Sequence, residues 1–403
     1  MPGQSKPSTS PRIAAIFFLD FASVVAFWMS VPLLTIILKD RGVSAGEIGI
    51  FAAMPWFGLL AVSPILPFLM RHLGLAWATL LGVLLGAVSL VLFAATASLP
   101  VWYVLYFLQG VALAIRWVAG DTWLNGVVTD AIRNRVVGIL EMIMCTAVGA
   151  GPALLVVVGT DGNVGFPVAA AIEALSLVPL VLIWRSAPRL HDEQAGQATS
   201  DIPSFWSIPR LEPIAYLGLL MVGMVEASNV ALLPLYGLSY GFSADISTTL
   251  STALQVGALS GALGVATFAA KVDRRQVQLW AIGISAAMPF LMPLALRLSP
   301  GLQIPALWAV LMIWGAAQGV SFALAMVALG SRFSGLALAR AVTLGMDSYT
   351  IGSLLGPVAI GKLVDQGGPD AHPLGLAVGT CAILAVATFA VLGTKERTQV
   401  RAD

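Results

Sequence analysis

The chain repeats itself. Arg135 precedes Gly151-Pro152 by the interval at which Arg340 precedes Gly356-Pro357, so both landmarks recur at an offset of 205 residues, about half of 403. Gln109-Gly110 returns as Gln318-Gly319, and Pro32-Leu33 with Gly42 and Ser44 returns as Pro234-Leu235 with Gly241 and Ser243. These offsets drift from 199 to 209, as expected if the loops changed length while the elements did not. Two largely apolar half-chains with Gly and Pro at matching places predict a membrane transporter built from internal repeats.

Composition agrees. With 58% hydrophobic and 10% charged residues, against roughly 25% charged in a soluble domain, the chain reads as a membrane protein. A helix needs about 20 apolar residues to cross a hydrocarbon core of roughly 30 Å. Such stretches lie near 13–38, 47–70, 75–98, 101–126, 136–158, 164–185, 213–236, 245–270, 277–298, 303–330, 341–363 and 373–394. The predicted fold is therefore an all-α membrane protein of twelve transmembrane helices in two six-helix pseudo-repeats. The runs are continuous and too long for the alternating strands of a barrel.

Short loops rich in Lys and Arg stay on the cytoplasmic side. With the N-terminus inside, sixteen basic residues fall in inner segments and four (Lys39, Arg41, Arg297 and Lys362) in outer ones, and Arg116 lies inside a span. Both termini are thus predicted to be cytoplasmic, in a bacterial inner membrane, and the net charge of +1 gives no reason to expect a nucleic-acid partner. The first span is too long for a signal-peptide core and is expected to be retained. Residues 186–212 form the one long polar connection, dividing an N-terminal bundle (1–185) from a C-terminal bundle (213–403). Cys145 and Cys381 fall in spans and suggest no disulfide framework. His72, His191 and His372 are far apart and suggest no metal site, and no phosphate-binding loop GxxxxGK[ST] is present. No cofactor and no enzymatic activity are expected.

Two six-helix halves with cytoplasmic termini and a long central loop resemble the major facilitator superfamily over nearly the whole chain. Its pattern Gly-x-x-x-Asp-Arg-x-Gly-Arg-Arg between spans 2 and 3 is degenerate here: Pro67 to Ala76 carries Arg71 where the acid belongs. The equivalent loop of the second half, Ala270-Lys271-Val272-Asp273-Arg274-Arg275, keeps the later charges. On span 5, Gly138, Gly151 and Pro152 resemble the antiporter motif, while Ala147 and Leu155-Val156 depart from it. The run Arg116-Trp117 and Asp121-Thr122-Trp123-Leu124-Asn125 resembles that of a bacterial efflux-like branch. The resemblance implies alternating access, a small-molecule substrate and a monomer in the lipid bilayer, with Gly138, Gly151, Pro152, Gly356, Pro357, Asp273, Arg274 and Arg275 as gating or helix-packing positions.

Ionisable groups at membrane depth cost several kcal/mol and are functional candidates by default. Asp20, Arg116, Asp121, Glu141, Glu173, Glu226 and Asp347 are the seven. Six acids against one base cannot all pair, so some must be protonated or reach water, which is what proton coupling requires. At 1.5 Å per residue, Asp20, Asp121, Glu141 and Asp347 lie at a similar depth in the inner half, and Arg116 and Glu226 near the midplane. Glu141 and Asp347 come within one residue of being repeat equivalents. Arg116 shares a helix face with Gly120 and Trp123, and Asp121 another with Trp117 and Asn125, so these two do not pair. Glu141 and Asp20 are the expected partners of Arg116, whereas Glu173, on a peripheral span, is expected to be a neutral acid bonded to backbone. Glu226 and Asn229 share a face of span 7. Trp28, Trp117 and Trp123, with Asn125 and Asn229, are candidates to line a substrate cavity. A proton-coupled exporter is the leading reading; an uncoupled facilitator or lipid translocator, or a scaffold or sensor that has kept the fold, are the rivals.

Overall fold

The computed structural model describes residues 9–128, 130–160, 164–187, 208–268, 273–333 and 335–399. Among these residues every regular element is a helix, as lipid demands of a spanning chain, because a helix satisfies its backbone polar groups within itself. They form twelve rods: α1 (Thr9–Asp40), α2 (Ala45–Leu73), α3 (Leu75–Ala95), α4 (Leu99–Val127), α5 (Asp130–Val158), α6 (Gly165–Ser186), α7 (Pro213–Ser239), α8 (Ala244–Phe268), α9 (Arg274–Ala295), α10 (Pro300–Arg332), α11 (Gly335–Gly367) and α12 (Ala371–Gln399). Among the described residues nine of them are long and apolar enough to cross a membrane, and Met142–Val158 of α5 is a shorter apolar helix.

The repeat is written into the backbone. Helix α1 ends with Gly42 at φ 76°, and α7 ends with Gly241 at φ 82°, the left-handed conformation that glycine adopts without penalty. Val43 N–H bonds Leu38 O at 3.0 Å and Gly42 N–H bonds Lys39 O at 2.9 Å; Phe242 to Gly237 (3.2 Å) and Gly241 to Leu238 (3.1 Å) reproduce the same helix stop. Ser44 Oγ then accepts from Glu47 N–H at 3.2 Å, and Ser243 Oγ from Ile246 N–H at 3.3 Å, capping the next helix in each half. Gln109 of α4 donates to Gly86 O of α3 at 2.9 Å, and Gln318 of α10 donates to Ser285 Oγ of α9 at 2.9 Å. Each glutamine ties its helix to the one before it.

The chain divides into two compact units, Met1–Leu33 with Phe57–Gly196 and Leu34–Trp56 with Gln197–Asp403. The first has an apolar core that includes Ile16, Leu19, Ala78, Ile115, Trp123 and Leu180. In the second, α8 and α10 lie backbone to backbone: a side chain on Gly257 or Gly261 would collide with Met312 or Ala316, and one on Gly315 or Gly319 with Leu254 or Ala258. Without a hydrophobic force between helices in lipid, such small-residue contact is what holds them. Residues 34–56 belong by sequence to the first repeat and by packing to the second unit. Thr35 donates to Ala231 O at 2.8 Å, Gly46 N–H to Asp365 Oδ2 at 2.9 Å, and Gly49 lies against the Pro357 carbonyl.

Candidate functional site

In the first unit the site is built around Arg116. Its side chain leaves α4, passes Gly82 and Gly86 of α3 and forms a salt bridge with Glu173 of α6, both side chains being 2% exposed. A Cβ on Gly86 would stand 3.1 Å from Arg116 Nη1 and 3.2 Å from Glu173 Oε1, so the glycine makes the lateral channel in which the pair lies. Ser23 Oγ of α1 donates to the same Glu173 oxygen at 3.3 Å. The counter-ion expected on Glu141 or Asp20 is thus Glu173, and Glu173 is an ion-pair partner rather than a carboxylic acid bonded to backbone. Depth along a helix says nothing of which neighbour is reached sideways, and α3 opens the way to α6.

Asp20 is close by without taking the pair. Its carboxylate fits against Gly120, where a Cβ would stand 2.8 Å from Oδ1, and it feels the charges of Asp121 and Arg116. Trp117 is within hydrogen-bonding reach of Asp121. Arg116 Nε and Nη2 are buried without a hydrogen-bond partner among the described residues. Glu173 and Asp20 therefore both act on one guanidinium, which Glu173 alone already neutralises, and Asp121 acts on Asp20. Trp28 stands edge-on to Phe27, with ring centroids 5.6 Å apart. Trp123, expected to offer a flat surface to a cavity, is instead enclosed in the apolar core at 1% exposure.

The second unit holds its acid differently. Glu226 of α7 accepts from Gln255 Nε2 of α8 at 3.2 Å on one oxygen and from the Tyr349 hydroxyl of α11 at 2.9 Å on the other. No lysine or arginine is paired with it among the described residues. Tyr349 is held edge-on by Trp56 (5.7 Å, 77°) and Phe322 (6.2 Å, 80°), which aims its hydroxyl. Asn229, one turn beyond Glu226, is fully buried, with neither amide atom partnered among the described residues. Asp347 is half-buried two residues before Tyr349, in no ion pair among the described residues.

The remaining candidates sort by packing. Gly151 abuts the backbone of Trp28 and Met29, and Gly356 abuts Met224 O, so each Gly-Pro pair, with Pro152 and Pro357 buried beside it, packs against the first helix of its own repeat. Asp273 Oδ1 caps α9 by accepting from Arg275 N–H at 3.0 Å. Arg274 donates to Ser331 at 3.1 Å, and Arg275 and Arg332 lie 3.8 Å and 3.5 Å from Glu212. The side chains of Asn125 and Glu141, and the surroundings of Gly138, lie outside the described residues, as do Ala270, Lys271 and Val272. Gln255, Tyr349 and Gly86 were not singled out from the sequence, because a scan for buried charge passes over uncharged donors and glycines. Polar residues inside an apolar run were the available signal for the first two.

The chain matches the Major Facilitator Superfamily over residues 16–301. An uncharacterized MFS-type transporter of Bacillus subtilis, YfkF, is 23% identical over 210 residues, 52% of this chain and 54% of the relative, so the match spans about half of that protein's length. The crystal structure of the nucleoside transporter NupG superposes with a TM-score of 0.75 at 13% identity, covering 94% of this chain and 99% of that one. A bacterial homolog of the human lysosomal transporter Spinster, in an inward-facing and occupied conformation, gives 0.71 at 16% identity over 97% and 98%. At these identities the likeness is one of fold. With its twelve helical rods in two repeats and the match over residues 16–301, the chain belongs to the Major Facilitator Superfamily of membrane transporters.

Proposed function

We propose that the chain is a proton-coupled secondary transporter that exports a small molecule across a bacterial inner membrane by alternating access, as a monomer with both termini cytoplasmic. The observation that carries this reading is the charge count inside the spans. Arg116 is matched by Glu173, whereas Glu226 is paired with no lysine or arginine among the described residues, and a buried carboxylate without a counter-ion is costly unless a proton or another cation joins it. Glu226, held by neutral donors, can gain or lose a proton without breaking a salt bridge. Asp20 and Asp121, close enough to repel, form a second place where one proton relieves two like charges. Asp347 is the remaining candidate carrier. The two half-chains, 1–185 and 213–403, joined by the linker 186–212, are the bodies that would rock about the site.

Proteoliposomes containing a trapped pH-sensitive dye test the coupling. Nucleosides, sugars, amino acids, organic acids and amphiphilic amines are added in turn, and a substrate is a compound that moves protons with the wild type. The Glu226→Gln and Asp121→Asn variants should then exchange that substrate but lose accumulation driven by a pH gradient. Normal accumulation in both, and in Asp347→Asn as well, would leave the coupling assignment without a residue. Orientation is separate: an impermeant thiol reagent on intact cells should label a cysteine introduced at Asp161 and spare one at Gln197.

A further inference from the structure

Beyond the ion pairs, the second unit contains a line of polar groups, several of them buried with no protein partner among the described residues. Glu226, Asn229, Tyr236 and Gly237 of α7, with Tyr240, the residue that caps its end, fall within an arc of roughly 100°, at 100° per residue. On α8, Ser247, Ser251 and Gln255 follow one another at intervals of four, on one side of the helix. The two helices touch at both ends of this line, where a Cβ on Gly237 would stand 2.6 Å from Ser247 Oγ and where Gln255 reaches Glu226 at 3.2 Å. Along this line Asn229 Nδ2 and Oδ1, Ser247 Oγ, Ser251 Oγ and Thr252 Oγ1 are buried and have no hydrogen-bond partner among the described residues.

The contrast within α8 is informative. Thr248 and Thr249 return their hydroxyls to Ala244 O at 2.8 Å and Ile246 O at 2.6 Å, the usual way for such a group to satisfy itself in a helix. Ser247 and Ser251, on the α7 side, do not. At the end away from Glu226 the line reaches an acid: Tyr240 donates to Asp370 Oδ1 at 2.6 Å and Tyr236 to the same oxygen at 3.3 Å. The ring of His372, buried with neither nitrogen partnered among the described residues, lies 5.9 Å from that of Tyr236.

Buried polar groups in native proteins are almost always bonded to protein or to ordered water, and in lipid an orphaned group costs several kcal/mol. We propose that the seam between α7 and α8 holds a file of water that carries protons between Asp370 and Glu226, passing Tyr236 and His372, then Ser247, Ser251 and Asn229. The proton enters at the Asp370 carboxylate, is relayed along hydrogen-bonded water and hydroxyls, and arrives on a Glu226 oxygen. From Tyr240 to Glu226 the path is about 21 Å, fourteen residues at 1.5 Å each. Its destination rests on the coupling role proposed for Glu226; its hydration does not.

Hydration is testable without knowing the substrate. In a background carrying Cys145→Ser and Cys381→Ser, single replacements Ser251→Cys and Asn229→Cys, each checked for monodisperse elution, are treated with silver ion from the membrane side that labels Asp370→Cys. The thiols left unreacted are then counted with a fluorescent maleimide after denaturation. Both should react about tenfold or more faster than Thr248→Cys, because a thiol without a water path reacts only through local opening. Adding Ser251→Leu to Asn229→Cys should remove that advantage. Rates equal to the Thr248→Cys control, or a rate at Asn229→Cys untouched by Ser251→Leu, would overturn the path. If Ser251→Cys misfolds, Asn229→Cys with and without Ser251→Leu decides. A reactive seam with undiminished gradient-driven transport in Glu226→Gln would keep the path and remove Glu226 as carrier, and an unreactive seam with lost coupling would do the reverse.

Discussion

The two repeats share a scaffold and differ in their charges. Helix stops at Gly42 and Gly241, caps at Ser44 and Ser243, tethers at Gln109 and Gln318 and glycine contacts at Gly151 and Gly356 occur in both. Arg116 and Glu226 have no such counterpart: the offset relating the two glutamines puts Arg116 opposite Ala325, and the offset relating Pro32 to Pro234 puts Glu226 opposite Val24. One half buries an acid with a base, and the other buries an acid with an amide and a phenol. Elements whose job is to bend, stop or pack a helix serve any pair of halves, whereas each buried carboxylate is held in its own way. A salt bridge fixes the charge state of Glu173; neutral donors leave that of Glu226 free to change.

Mutations at these positions should separate the two halves by their cost in stability. Arg116→Ala should be the most damaging, because it leaves Glu173 buried and unpaired at a cost of about 3–5 kcal/mol. Thermal melting in detergent should show an early transition or little folded protein. Adding Glu173→Gln should restore most of the loss, and Asp20→Asn should not; rescue by Asp20→Asn alone would move the pair. Gly86→Ala comes next, crowding Arg116 and Glu173 at once for about 1–3 kcal/mol, and a wild-type melting temperature would show that the channel has slack. Gln109→Leu and Gln318→Leu should cost alike, about 0.5–1.5 kcal/mol each. Clearly unequal shifts would mean that the scaffold is less symmetric than its hydrogen bonds. Glu226→Gln should be mildest for stability, within about 1 kcal/mol, since the amide oxygen can still accept from Tyr349, while gradient-driven transport is lost. An Arg116-sized drop in melting temperature there would make Glu226 a structural anchor and erase the difference between the halves.

The fold was legible in the sequence because its determinants are local and repeated: apolar runs of spanning length, glycines at turns, prolines at fixed offsets. The buried charges were legible too, since each stands out in an apolar run. Their partners were not. Arg116 and Glu173 are separated by 57 residues, and the contact depends on Gly86, on a third helix, having no side chain. Likewise Glu226 owes its environment to Gln255 and Tyr349, uncharged residues that carry no mark of function until three helices meet. Trp123 shows the opposite failure, a residue conspicuous in sequence whose ring packs the core.

The segment 34–56 has a consequence for biosynthesis. Gly46 and Gly49 are made early, but Asp365, which receives the Gly46 N–H, follows 319 residues later. At about 5–20 residues per second, the start of α2 waits roughly a quarter of a minute to a minute in the bilayer before its partner helix exists. Throughout that interval its small-residue face has only lipid or a chaperone to lie against. The last third of the chain thus completes an element inserted near the beginning, and a ribosome that stops before α11 leaves that element unfinished.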